Sequence, residues 1–183
     1  MEIRKENLEE RVEQLQSLGS DIEHINGTLT KHLLGTYHLL KGWELCEELC
    51  LAGLFHAVYG SDPTRSRLLG VEKRAEVASM IGSRAEKLVY MFCSCDKPKV
   101  LPQIGTQSPI MFIDRFTGEH SPFPEEFLND FCELTIANDL DVARNKAIEQ
   151  YHPDLLRMFK NMYPLVSDKT QAELDKLFVQ FLS

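Results

Sequence analysis

Apolar residues recur every three or four positions along most of the chain, a spacing typical of amphipathic helices. A charged N-terminal helix is predicted over residues 2–18, and a second helix over about 29–42. The third, at about 44–59, contains the stretch LCLAGLF and is apolar on nearly every side, which predicts a buried central helix. Further helices are predicted at about 71–81, 84–94, 125–149, 153–162 and 168–182.

The helical pattern fails between about residues 96 and 123, where four of the eight prolines lie. We predict a long irregular loop there, with a short strand at 110–113 and a turn at 116–119. Ser83 followed by Glu86 resembles a capping box at the start of the 84–94 helix. The fold class predicted from the pattern is all-α, in a single domain spanning residues 1–183.

Charge and composition narrow the classes of partner. The 183 residues carry a net charge of −8, which argues against a nucleic-acid or anionic-membrane surface, and no apolar run reaches the roughly 20 residues of a membrane helix. The N-terminal segment has no apolar core of the kind that signal peptides have. An odd number of cysteines, five, fits a reduced protein. We therefore expect a cytoplasmic protein with a small-molecule ligand, and the sequence does not predict its oligomeric state.

The segment from His24 to Ser61 holds four of the six histidines. His32 and His56 are each embedded in apolar sequence, so both rings are expected to be partly buried and to need polar partners. Helix-mounted histidines of this kind are common metal ligands, and they are equally familiar as hydrogen-bonded core residues. His38, six residues after His32, is expected on the surface. Tyr59 lies three residues beyond His56, so its hydroxyl is a candidate neighbour of that imidazole.

Two strings in this segment, GTLTKHLLGTYHLL and CLAGLFHAVYG, resemble the HD-domain superfamily of metal-dependent phosphohydrolases. In that superfamily a histidine on one helix meets a His-Asp pair after an apolar run. The likeness extends over about residues 24–145 and is closest to the guanosine-tetraphosphate hydrolase branch. It implies an HD-like helical core at 24–145, between an N-terminal helix at 1–19 and C-terminal helices at 146–183. It also implies a metal bound by His32 and His56.

The departures from the HD pattern concern its carboxylates. Ala57 stands where the pair has aspartate, and Asn138 stands at the last aspartate position, with Asp139 next to it. Loss of these charged oxygen ligands makes a two-metal centre improbable. A single divalent ion, iron, manganese or zinc, needs a further ligand. The candidates are His24, Asp62 and Asp139.

Basic residues follow the His56 helix closely. Arg65, Arg67 and Arg84, together with Asn138, are candidate ligand-binding residues, because arginine binds phosphate and carboxylate in a forked geometry. Neighbouring glutamates, among them Glu86, give the alternative of a neutralised, solvated face.

Two cysteine pairs, Cys46 with Cys50 and Cys93 with Cys95, do not have the spacing of structural zinc sites, and a place in the core is the favoured interpretation.

Two functions of different classes follow from the sequence. In the first, the protein is an enzyme that acts on a small metabolite, phosphorylated or not, with His32, His56 and Tyr59 as catalytic residues and at most one divalent metal. In the second, the fold has lost its metal and serves as a ligand-binding or regulatory module, which Ala57 favours. An interaction protein that works through its acidic N-terminal helix is a weaker third hypothesis.

Overall fold

α-Helices form the framework of the structure, which confirms the predicted fold class. The structure, a computed structural model, describes residues 8–24, 27–60, 67–144 and 153–182. Its α-helices are α1 (Leu8–Ser17), α2 (Leu29–Gly42), α3 (Glu47–Phe55), α4 (Arg74–Ile81), α5 (Ser83–Ser94), α6 (Lys97–Val100), α7 (Glu125–Arg144), α8 (Pro153–Met162) and α9 (Asp168–Leu182). Within these described ranges no helix is both long and apolar enough to cross a membrane.

Two short antiparallel hairpins accompany the helices. β1 (Glu23–His24) pairs with β2 (Gly27–Thr28), and β3 (Met111–Ile113) pairs with β4 (His120–Pro122). The second hairpin and α6 lie inside the segment predicted to be irregular, so that prediction was only partly right. The predicted strand and turn there are confirmed.

Side chains organise this segment, which is why no periodic pattern reveals it. Gln103 pairs with the backbone of Met111 on both sides, accepting from its N–H at 2.8 Å and donating to its carbonyl at 3.1 Å. Asp114 accepts hydrogen bonds from the backbone N–H groups of Phe116 and Thr117 and so closes the turn.

Helix α3 lies at the centre of the core, as its apolar sequence predicts. It packs against α2, α5 and α7, and its Leu54 and Phe55 are fully buried. Gly53 allows α2 to approach closely, because a Cβ at this position would lie 2.4 Å from a methyl carbon of Leu40. Buried side chains from α1 through α9 join in one hydrophobic core.

The central helix ends earlier than predicted, at Phe55 instead of residue 59. His56 is its C-cap, and the following residues form turns that end at Gly60, whose φ of +81° favours glycine. The prediction of a capping box at Ser83 is also wrong. Gly82 is the N-cap of α5, and the Glu86 carboxylate turns away to bind Arg74 and Tyr59.

Glu133 joins α7 to the start of α9. Its carboxylate accepts hydrogen bonds from the Ser167 backbone N–H and the Thr170 hydroxyl, both at 2.6 Å. Burial raises the pKa of Glu133, and the two hydrogen-bond partners oppose this shift. The buried carboxylate thus anchors the C-terminal helix, at the cost of desolvating a charge.

We expect Glu133 to make stability depend on pH. Its pKa is raised above the ordinary value of 4.5, so between these two pKa values the folded chain holds a proton that the unfolded chain has released. The free energy of unfolding contributed by Glu133 therefore falls as pH rises through this window. Glu133→Gln lacks this titrating group, so its free energy of unfolding should fall less than that of wild type as pH rises. Urea unfolding between pH 4.5 and 7 would measure the difference. Exposed Glu125→Gln serves as the control, and identical pH slopes for Glu133→Gln and wild type would contradict the expectation.

Candidate functional site

Two histidines and an asparagine meet where α2, α3 and α7 pack together. His32 lies in α2, His56 caps α3 and Asn138 lies in α7. The Nε2 atom of His32 is 3.2 Å from Nε2 of His56 and 3.1 Å from Oδ1 of Asn138. Both imidazoles are buried, His56 completely. The structure thus brings together three of the candidate site residues named from the sequence.

The other nitrogen of each imidazole is held by an acceptor. Nδ1 of His32 lies 2.7 Å from Oδ2 of Asp141, and Nδ1 of His56 lies 2.7 Å from the carbonyl oxygen of Gly53. A carbonyl and an ionised carboxylate only accept, so Nδ1 of each ring carries its proton. In the neutral rings the lone pairs are therefore on the two Nε2 atoms.

Three acceptor atoms consequently converge without a donor between them. Asn138 donates from Nδ2 to Oδ1 of Asp139 at 2.8 Å, which turns its own carbonyl oxygen toward His32. Burial, followed by the neighbouring His32, lowers the pKa of His56 well below its ordinary value of 6.5, which keeps that ring neutral. Facing lone pairs repel unless a positive charge lies between them. A cation between these atoms, a metal ion or a proton, would relieve this repulsion.

A glycine makes room for the carboxylate that orients His32. Gly35 lies one helical turn after His32 in α2, and a Cβ at this position would lie 1.8 Å from Oδ1 of Asp141. Any larger residue would therefore displace Asp141 from the His32 ring. This close approach ties α2 to the C-terminal half of α7.

An aromatic residue, Phe92, and two oppositely charged residues, Lys97 and Asp139, lie near the cluster. Phe92 packs edge-on against His56, with ring centroids 5.4 Å apart, and the Nζ atom of Lys97 lies 3.5 Å from the centroid of the same phenyl ring. Burial lowers the pKa of Lys97, and Asp139 opposes this shift. Burial also raises the pKa of Asp139, which Lys97 opposes in turn. The two opposite charges thus stabilise each other beside the histidines.

His24 contacts His32 through its ring face. The two imidazoles are stacked, with centroids 4.7 Å apart and planes 8° from parallel. The nitrogen lone pairs of stacked rings lie in separate parallel planes and do not converge on one ion. The face contact therefore gives no support to the predicted three-histidine metal site, and His24 acts here as a wall of the pocket.

Tyr59 does not make the predicted contact with the His56 imidazole. Its hydroxyl donates to Oε1 of Glu86 at 3.0 Å, and Arg74 donates to both oxygens of the same carboxylate at 2.7 and 2.9 Å. The helix ends before Tyr59, so the expected spacing of one helical turn does not apply. The hydroxyl belongs to a buried ion-pair network, and a catalytic role for Tyr59 stays a prediction without a supporting contact.

The predicted arginine rim is not assembled around the histidines. Arg84 pairs with Asp130 and, at 3.7 Å, with Glu48, and its guanidinium lies over the Phe127 ring on the outer face of α5. Arg67 is exposed. Arg65, like the candidate ligand Asp62, lies outside the described residues.

Two residues of the site, Asp141 and Lys97, were not identified from the sequence. Asp141 lies three residues after Asn138, so the two share a helix face, and this spacing is a signal that the sequence contains. Lys97 lies in the segment without a period and gives no such signal.

The metal-binding capacity of the site depends on two imidazoles and an amide. Within residues 8–24, 27–60, 67–144 and 153–182, no group of three or more His, Cys, Asp or Glu side chains is arranged to hold a metal ion. Ala57, at the position of the HD aspartate, is buried and offers no ligand atom.

The cysteines provide no substitute ligands. Burial raises the pKa of the Cys50, Cys93 and Cys95 thiols to about 12, and Cys93 donates to the backbone oxygen of His56 at 3.0 Å. These thiols stay protonated at neutral pH and belong to the core.

Comparison with known proteins gives one match. Residues 14–97 match the family described as "Domain of unknown function (DUF6817)". The matched region contains His32, Gly35, His56 and Lys97 and ends before the α7 residues of the site. No curated protein and no solved structure matches the chain. The resemblance to the HD superfamily therefore stays a prediction.

We expect Gly35→Ala to disrupt the site through Asp141. The added methyl group would displace the carboxylate and leave Nδ1 of buried His32 without its acceptor, a destabilisation of about 2 kcal/mol or more by urea unfolding. Gly42→Ala is the matched control on the same helix, because nothing lies within 4 Å of its Cβ position.

A double-mutant cycle identifies the source of this cost. In an Asp141→Ala background the clash is absent, so Gly35→Ala should then change stability by only about 0.5 kcal/mol. An undiminished cost in that background would show that Asp141 is not what the glycine accommodates.

Proposed function

We propose that the protein is an enzyme that binds one divalent metal ion through His32, His56 and Asn138 and acts on a small anionic metabolite. The observation that carries the proposal is the position of two further acceptor atoms close to Nε2 of His32: Nε2 of His56 at 3.2 Å and Oδ1 of Asn138 at 3.1 Å. A fold without use for a cation would gain stability by replacing these buried acceptors with apolar side chains.

The donor set fits a single transition-metal ion. Ligands about 2.1 Å from an ion lie roughly 3.0 to 3.4 Å from each other, which agrees with the distances from Nε2 of His32 to the other two atoms. Metal-binding histidines characteristically donate their second N–H to a carboxylate or a backbone carbonyl, as His32 does to Asp141 and His56 to Gly53. Imidazole nitrogen suits iron, manganese and zinc, and Asp139 is a neighbouring candidate for a further, negatively charged ligand.

The chemistry we propose is hydrolase-like. A bound divalent ion would polarise a substrate oxygen and lower the pKa of a bound water. Asp141 keeps the His32 ring in one orientation, and Asn138 fixes its carbonyl oxygen toward the same point. Lys97 supplies positive charge for an anionic substrate group beside the cluster. The likeness of the 24–145 region to HD phosphohydrolases supports this reaction class, with fewer carboxylates than that superfamily uses.

We place this enzyme in the cytoplasm. The five cysteines are all free, and four of them are buried thiols, as is usual in a reducing compartment.

A metal-free pocket is the second candidate. The 2.7 Å contact between His32 and Asp141 favours it, because a carboxylate at this distance stabilises a protonated imidazole. In this case His32 carries a proton on Nε2 and shares it with His56 or Asn138. The protein would then be a metal-free acid–base enzyme or a ligand-binding module of regulatory function.

Metal content separates the two candidates. We expect untagged wild-type protein, after reconstitution with iron, manganese or zinc and removal of free ions, to retain about one equivalent by inductively coupled plasma mass spectrometry. His32→Gln and His56→Gln should each lower metal affinity by at least about 10-fold, because each removes an imidazole ligand. Exposed His38→Gln, on the same helix as His32, is the control and should retain the metal.

Circular dichroism of the variants verifies that loss of metal is not loss of fold. A wild-type protein that retains no metal after reconstitution would overturn the metal-dependent proposal. In that outcome, ¹⁵N spectra of the histidine rings should show a proton on Nε2 of His32, as the metal-free candidate requires.

A further inference from the structure

A groove lies next to Lys97, a residue that shares the Phe92 ring with His56. It has a volume of about 720 Å³ and runs between the segment from α6 to residue 106 and helix α8. Its walls are largely apolar and include Pro98, Leu101, Pro102 and Met158. Volumes of this order are typical of pockets that bury a small organic ligand. We call this feature the Lys97 groove, after the residue that lies at its edge nearest the histidines.

Lys97 brings an ammonium to this groove whose hydrogen-bond donors no described acceptor takes up. Its side chain is half-buried and lines the groove, and its ammonium lies over the Phe92 ring. Within the part of the chain that the structure describes, no acceptor lies at hydrogen-bond or ion-pair distance from Nζ, and Asp139 acts on it only at longer range. An ammonium has three donors, so this one is able to accept an anionic group at low cost.

Phe92 connects the groove to the candidate site. The same phenyl ring contacts the Lys97 ammonium on one side and the His56 imidazole on another. A group bound to Lys97 would therefore be one aromatic ring away from the His56 imidazole. The rest of such a ligand would extend along the apolar walls toward α8.

The charges of the groove limit the ligand to a single anionic group. Besides Lys97, the basic residue of the lining is Arg157, which already pairs with Asp154 at 2.7 Å. Among the described lining residues, a nucleoside polyphosphate would find one cation outside an ion pair for its several negative charges, and its polar body would not match walls of proline, leucine and methionine.

We propose that the Lys97 groove binds a small amphipathic molecule with an aliphatic or aromatic body and one terminal carboxylate or phosphate, which Lys97 holds beside His56. This inference deepens the proposed function by naming its substrate class, and as a substrate assignment it rests on that function. Binding itself requires no metal and is tested separately.

Calorimetric titration with three matched probes tests the proposal. Octanoate, octyl phosphate and octanol share one apolar body and differ in the end group. We expect saturable binding of at least one of the two anions to the full chain, at least about 10-fold tighter than binding of octanol, because a charge-assisted hydrogen bond is worth that much or more. The preferred anion distinguishes a carboxylate ligand from a phosphate ligand.

Two variants locate the binding. Lys97→Met keeps the length of the side chain and its contact with Phe92, and should weaken anion binding by about 10-fold or more while leaving octanol binding unchanged. Lys99→Met is the control, since this exposed lysine pairs with Asp96 at 2.6 Å and does not line the groove. Met158→Asp should weaken binding of all three probes. Equal affinities for the anions and octanol, or no effect of Lys97→Met, would overturn the proposal.

The failure of one proposal is distinguishable from the failure of the other. His32→Gln should lose metal and still bind the preferred anion, and Lys97→Met should keep its metal and lose the anion. Metal without anion binding in the wild type would overturn the groove and leave the proposed metal site standing. Anion binding without metal in the wild type would overturn the proposed metal site and leave the groove proposal standing.

Discussion

The hydrogen bond between His32 and Asp141 connects residues 109 positions apart, and the candidate site depends on it. It fixes the tautomer of His32, and with the tautomer it fixes the direction of the Nε2 lone pair. It also holds α7 against α2, which brings Asn138, one helical turn before Asp141, to the same point. His56 is held independently by the carbonyl of Gly53, at the end of a central helix that the core surrounds. Rigid supports on both sides explain how two imidazoles approach to 3.2 Å.

The charges around His32 and His56 determine whether the pair of imidazoles favours a cation. Burial disfavours a proton on His56, whose Nδ1 atom faces a backbone carbonyl, whereas the Nδ1 atom of His32 faces the Asp141 carboxylate at 2.7 Å. The nearby Lys97 further disfavours a proton on His56, and Asp139 partly offsets the effect of burial on Lys97. The absence of a carboxylate at residue 57 weakens the attraction for a metal without removing the geometry. This combination makes binding of a single cation the property that the two candidate functions share.

The sequence predicts the helices well and the site in part. The bounds of α2, α8 and α9 were anticipated within a residue, because each has a clear apolar period and a polar or glycine signal at its ends. The end of α3 was misplaced because the turn after it, Ala57–Tyr59, is as apolar as a buried helix. His32, His56 and Asn138 were found from their context, whereas the partners of Tyr59 and Arg84 come from distant helices and have no local signature. Lys97 belongs to a segment shaped by side-chain hydrogen bonds, which periodicity does not detect.

The space left by Gly35 has a consequence for tracing this arrangement in other chains. In this chain the glycine three residues after the first histidine leaves room for the aspartate, and the aspartate three residues after the asparagine reaches that histidine. The pair His-x-x-Gly and Asn-x-x-Asp, on two helices separated by about a hundred residues, is therefore a two-part fingerprint with a steric basis. A chain that keeps both halves has retained the means to orient the imidazole. A chain with the histidine and a bulkier residue in place of the glycine must have given that orientation up, whatever its overall similarity.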